Sequence, residues 1–129
     1  MDKSSILKGF NNHFMEFVNA VRDYFSDNKD VRATGVALEG IRKVNPKLIM
    51  NIWKEYIVDV YSNEIEAGEI EFFINKEYKN DLNDLQNSNS VLEAIEKLRD
   101  PVKAMPGEDQ EKVMKYIQNL TNLSKLYFQ

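Results

Sequence analysis

Apolar residues in this chain recur at three- and four-residue steps over most of its length, and that period constrains its fold more than any other feature. Ile6, Leu7, Phe10, Phe14, Phe17, Val18, Val21 and Phe25 mark one amphipathic helix. Ser4 or Ser5 is placed to cap its start, and the polar run 26–30 (SDNKD) to end it. Val31, Thr34, Leu38 and Ile41 mark a second helix, in which Gly35 and Gly40 point to a close helix crossing. No window alternates apolar and polar residues as a half-buried strand does, and no fixed repeat recurs. The fold expected is all-α, a single compact bundle of five to seven helices filling one domain, 1–129. Its irregular segments fall near 26–30, 79–90 and 105–109.

The third stretch, 45–61 (NPKLIMNIWKEYIVDVY), carries the widest stripe. Asn45 has the chemistry of an N-cap and Pro46 that of a first helical residue. Leu48, Ile49, Ile52, Trp53, Tyr56, Ile57, Val60 and Tyr61 follow at helical spacing, with Met50 and Val58 besides. One core contact needs a stripe only about 100° wide. The excess has two readings. The helix is central and packed on two sides, or it keeps one edge for a protein ligand, for which Trp and Tyr are favoured.

Gly68 is placed to stop that helix in the left-handed conformation. Ile70, Phe73, Ile74 and Tyr78 mark a short fourth helix, and Leu82 and Leu85 pin the irregular 79–90 segment to the body. Ser90 and Glu93 have capping-box spacing before Leu92, Ile95 and Leu98. Pro101 ends or kinks that helix. After the break at 105–109 a last helix carries Val113, Tyr116, Ile117, Leu120, Leu123 and Leu126 or Tyr127. The final LYFQ resembles the remnant of an engineered protease site, but Ser124-Lys125 stands where Glu-Asn would precede it, and the ending is read as native.

Composition narrows the chemistry. With no cysteine, disulfides, thiolate metal sites and cysteine nucleophiles are excluded, which fits a reducing compartment. The N-terminal stretch has no unbroken apolar run of signal-peptide type, and no run approaches a membrane span. The expected location is cytoplasmic. The two Asn-x-Ser/Thr triplets at 119–124 are read as polar helix positions. Net charge is −4, unevenly spread. Residues 1–63 carry 9 Lys/Arg and 8 Asp/Glu, giving +1, and 64–129 carry 8 and 13, giving −5. The acidic half disfavours a phosphate backbone as its ligand.

Catalytic signatures are weak. His13 is the sole histidine, flanked by Phe10 and Phe14, and Glu16 follows it in the order opposite to a di-iron Glu-x-x-His motif. Glu64, Glu66, Glu69 and Glu71 straddle Gly68, where Glu69 and Glu71 suit the start of a following helix. The Asn/Asp-rich 80–90 run lacks the glycine and glutamate of a calcium loop. There is no phosphate-binding glycine loop and no nucleophile elbow. No catalytic residue, cofactor or metal ligand is assigned. An enzyme using a carboxylate and tyrosine site remains the third reading.

A basic group, Arg42, Lys43, Lys47 and Lys54, supplies the alternative of a nucleic-acid face. Lys47, Asn51 and Lys54 share one side of a regular helix. Glu55 and Asp59 beside them favour an ordinary solvated face. The leading expectation is a non-enzymatic protein–protein interaction domain that binds another protein or itself. Its candidate contact residues are Trp53, Tyr56, Tyr61 and Tyr127.

The segments GFNNHFMEFVNAV, IRKVNPKLIMNIWKEYIVDVY, IEAGEIEFFINKEYKNDL, AIEKLRDPVKAM and KYIQNLTNLSKLY together resemble short helical proteins encoded by large nucleocytoplasmic DNA viruses of algae and other protists. The resemblance spans most of the chain, with NPKLI, GEIEFFI and KYIQNL as its densest parts. It implies a viral protein, in the host cytoplasm or virion, serving as a structural, assembly or adaptor component. No activity, cofactor or catalytic residue comes with it.

Overall fold

The computed structural model describes residues 2–75 and 89–129. Helices α1 (Lys3–Tyr24), α2 (Lys29–Val44), α3 (Leu48–Trp53), α4 (Asp59–Glu66), α5 (Glu71–Asn75), α6 (Asn89–Lys103) and α7 (Gly107–Tyr127) follow one another, and a π-helical turn, Lys54–Val58, joins α3 to α4. There is no strand among the described residues. The all-α expectation holds. α1 packs most extensively on α7, and α2 on α6, with α3 and the π turn against α1, α2 and α7.

α1 is a continuous helix of 22 residues. Its expected stripe is the observed core face: Ile6, Phe10, Phe14, Phe17, Val18 and Val21 are all buried, joined by Met15 and Asn11. The cap is Asp2 rather than a serine, its carboxylate accepting from the Ser5 amide at 2.7 Å. That bond to an ionised acceptor holds the Asp2 carboxyl below its usual range. Asn28 caps α2 by accepting from the amides of Asp30 and Val31 at 2.9 and 3.1 Å. Gly35 is a close crossing, since a Cβ there would run into the Arg22 side chain of α1. Gly40 has open space around it.

The start of the third helix corrects the expectation. Asn45 closes α2, its amide donating to Ile41 O at 2.8 Å. Pro46 sits in a turn closed by the Leu48 amide on Asn45 O at 3.2 Å, so its fixed φ serves the turn and not the helix. The Pro46 carbonyl accepts from Asn11 Nδ2 at 2.8 Å, which ties this turn to α1.

Gly68 adopts φ +75°, as its position after α4 predicted. Pro101 does not end α6, which runs through it to Lys103. Gln110 closes that helix end by donating to the carbonyls of Val102 and Lys103, both at 3.2 Å. The break before α7 is shorter than expected, because helix resumes at Gly107. The 79–90 segment, with Tyr78, Leu82 and Leu85, lies outside the described residues except for Asn89 and Ser90, where α6 begins.

Candidate interaction surface

The breadth of the 48–61 stripe has a backbone cause. A regular helix burying Ile49, Met50, Ile52 and Trp53 would next bury 56, 57, 60 and 61. The buried residues are instead Ile57, Val58 and Ile65, while Tyr56 and Tyr61 are half-buried and Val60 is 58% exposed. The buried face has slipped by one residue. The π turn produces that slip: the Asp59 amide donates to Lys54 O, five residues back, so one extra residue enters the turn. Tyr61 then departs from helical backbone, at φ −119° and ψ 20°.

Trp53 is therefore a correction to the contact set. It is 0% exposed and offers no surface to a partner. Phe10 and Phe14 meet it edge-on at centroid distances of 6.4 and 6.2 Å, and its indole N–H donates to Thr121 Oγ1 at 3.3 Å. The side chain with the largest apolar area and one donor thus joins α1, α3 and α7, a core role that satisfies both of its properties.

What the slip leaves outside is an edge along the π turn and α4, and the end of α7 lies beside it. Gln118 Nε2 donates to Ile65 O at 2.9 Å. Lys125 Nζ donates to Ser62 Oγ at 3.0 Å and to Glu66 Oε1 at 3.1 Å. Lys54 Nζ lies 5.6 Å from the Phe128 ring centroid and 2.6 Å from Asp59 Oδ1. Lys3 Nζ lies 5.5 Å from the ring of Tyr127, which meets Phe128 edge-on at 5.0 Å. The start of α1, the π turn and the end of α7 therefore converge on two aromatic rings, each faced by an ammonium group. Leu126 and Phe128 remain 46% and 41% exposed. Tyr127 is half-buried in this cluster, and Tyr56 and Tyr61 are engaged by contacts within the fold. Val60 and Leu126 are the exposed members that sequence reading missed as contact residues. It treated Val60 and Leu126 as helix stripe, and only the π slip and the helix end separate them from it.

The basic group divides. Arg42 forms an ion pair with Glu39 one turn earlier, and Lys43 Nζ stands 4.0 Å from the same carboxylate. That hydrogen bond from Arg42 holds the Glu39 carboxyl below its usual range. Lys54 belongs to the Asp59 and Phe128 contacts. Lys47, Asn51 and Lys54 keep helical spacing, the Asn51 amide donating to Lys47 O at 3.0 Å and the Lys54 amide to Met50 O, and the π widening begins only after them.

His13 Nδ1 lies 3.2 Å from Glu16 Oε2, and the imidazole meets the Tyr116 ring at 4.9 Å. Lys112, Lys115 and Asn119 complete an open groove between α1 and α7. Among the described residues no three His, Cys, Asp or Glu side chains are grouped to hold a metal, and no helix is long and apolar enough to cross a membrane.

No protein family matches this chain, nor does any curated protein or any solved structure.

Proposed function

We propose that this chain is a non-enzymatic helical protein–protein interaction domain whose contact surface is the edge formed by the π turn, α4 and the end of α7. The observation that carries the reading is the exposure of Val60, Leu126 and Phe128 on elements that Lys125 and Lys54 fasten together. Apolar and aromatic side chains rimmed by Lys54, Asp59 and Glu66 have the make-up of an interface centre with a polar rim. The π turn supports the reading further, since such insertions recur where a helix must re-aim side chains for a task. On the viral resemblance, the domain is a structural, assembly or adaptor component acting in the host cytoplasm or in the virion.

The test is affinity capture from source-cell lysate, infected on the viral reading, with nuclease present. A Leu126→Asp/Phe128→Ala variant is run beside the natural chain. The expected result is a near-stoichiometric protein retained by the natural chain and lost by the variant. A partner held equally by both, or one released by nuclease, overturns the reading. Release by nuclease would favour the nucleic-acid alternative at Arg42, Lys43, Lys47 and Lys54, with binding that weakens steeply as salt rises.

A further inference from the structure

We propose that copies of this chain associate head to tail, the α2–α3 turn of one molecule seating in a groove between the α4–α5 turn and the start of α7 of the next. The first half of the contact is Val44, 87% exposed at the end of α2. An apolar side chain so open beside a turn fixed at both ends by Ile41 O and Asn11 is a rigid knob. Arg42, Lys43 and Lys47 flank it in sequence and Glu39 precedes them, so the charge over 39–47 is 3 − 1 = +2.

The second half is a groove lined by Gly68, Ile70, Gln110, Glu111, Met114 and Gln118. Gly68 at φ +75° and the Gln118 bond to Ile65 O fix its near wall. Ile70 and Met114 give it an apolar floor. Among the described residues Glu111 and Lys115 line it, and the exposed Glu69, Glu71 and Glu108 adjoin its lining residues in sequence, a charge of 1 − 4 = −3 over these positions. Knob and groove are thus matched in apolar character and opposed in charge. The whole chain, at −4, would otherwise repel its own copies.

The two patches differ, so the contact is heterologous: each molecule that offers its knob still has a free groove. Such a contact grows into rings or open chains and does not stop at a symmetric dimer. A contact centred on one apolar side chain and steered by charge is weak, in the range of transient interfaces, and is screened by salt. It uses neither Leu126 nor Phe128, so it stands or falls apart from the partner edge described above.

The experiment is sedimentation velocity on the full chain, from about 10 μM to about 1 mM, at low and high salt. At low salt the average mass is expected to rise with concentration beyond that of a dimer. The apparent affinity should fall about tenfold or more at high salt. Lys43→Glu/Lys47→Glu alone, and Glu108→Lys/Glu111→Lys alone, should each be monomeric. Mixed in equal amounts they should assemble again, because each knob then meets a groove of opposite charge. Lys8→Glu/Lys97→Glu changes the charge equally at two exposed positions elsewhere and should assemble as the natural chain does. Circular dichroism confirms that each variant is folded. A monomer at every concentration at low salt overturns the proposal. So does association that persists in Lys43→Glu/Lys47→Glu, a mass that stops at a dimer, or a mixture that stays monomeric.

Discussion

α1 and the Leu48–Glu66 segment start from similar sequence material and end differently. Both carry apolar residues at helical spacing, and both bury aromatic rings against each other. In α1 the expected stripe is narrow, the helix is unbroken, and the residues the period names are buried or half-buried, with Asn11 and Met15 added at the stripe's edge. In Leu48–Glu66 the stripe is too broad for one face, and the backbone resolves the excess. A π turn shifts the buried face by one residue, Tyr61 breaks the helix, and Val60 is left outside. Excess breadth of an apolar stripe is thus a mark of irregular backbone as well as of a helix packed on two sides.

That comparison is most sharply broken at Val58 and Val60. They lie two residues apart, and a regular continuation from Trp53 would bury the second. Val58→Asp places an unpaired carboxylate in the core and is expected to cost more than about 4 kcal/mol, leaving little folded protein by circular dichroism. Val60→Asp is expected to stay within about 0.5 kcal/mol of the natural chain in urea titration. Equal losses at the two positions would mean that the slip is absent.

Trp53→Ala comes next, at about 3–5 kcal/mol, because three helices lose one shared side chain. Trp53→Phe keeps part of the volume and removes the indole donor, leaving Thr121 Oγ1 without its buried partner, and its smaller loss separates packing from hydrogen bonding. If Trp53→Ala cost under about 1 kcal/mol by denaturant titration, the core would not centre on this residue.

Two glycines should answer in opposite directions. Gly68→Ala forces a Cβ into the left-handed region and is expected to destabilise by about 1–2 kcal/mol. Gly40→Ala, in open space on α2, is expected to stabilise by about 0.5–1 kcal/mol. Thermal melts of the two variants should move to opposite sides of the natural chain.

The smallest effect is with pH. The Glu39 carboxyl is depressed in the folded chain by its bond from Arg42. Its contribution is therefore present above the unfolded glutamate value and is lost as pH falls through the lower, folded one. Glu39 is partly exposed, so the contribution is at most about 1 kcal/mol. Urea midpoints of the natural chain and of Glu39→Gln should differ at neutral pH and converge in acid.

Most of the architecture was legible because it rests on period alone. Phe10, Phe14 and Phe17, and Val113, Ile117 and Leu120, sit where their spacing placed them. What escaped depended on choices the period does not encode. Asn45 and Pro46 are good helix starters and equally good turn residues, and the α1 carbonyl-seeking Asn11, far away in sequence, takes the Pro46 carbonyl. Trp53 has the composition of a hot spot and of a core anchor alike. Its donor finds Thr121 across the bundle, a pairing with no local signal. Conversely, Tyr127 stood out for its ring, and the cation that faces it, Lys3, comes from the other end of the chain.

The packing of α1 on α7 has a consequence for synthesis. The ribosome makes Phe10, Phe14 and Phe17 about a hundred residues ahead of the helix that covers much of their face. At ~5–20 residues per second, about 5–20 s separate the two. During that interval the newborn α1 displays its aromatic face to the cell, and a chaperone that binds such faces has its longest opportunity there.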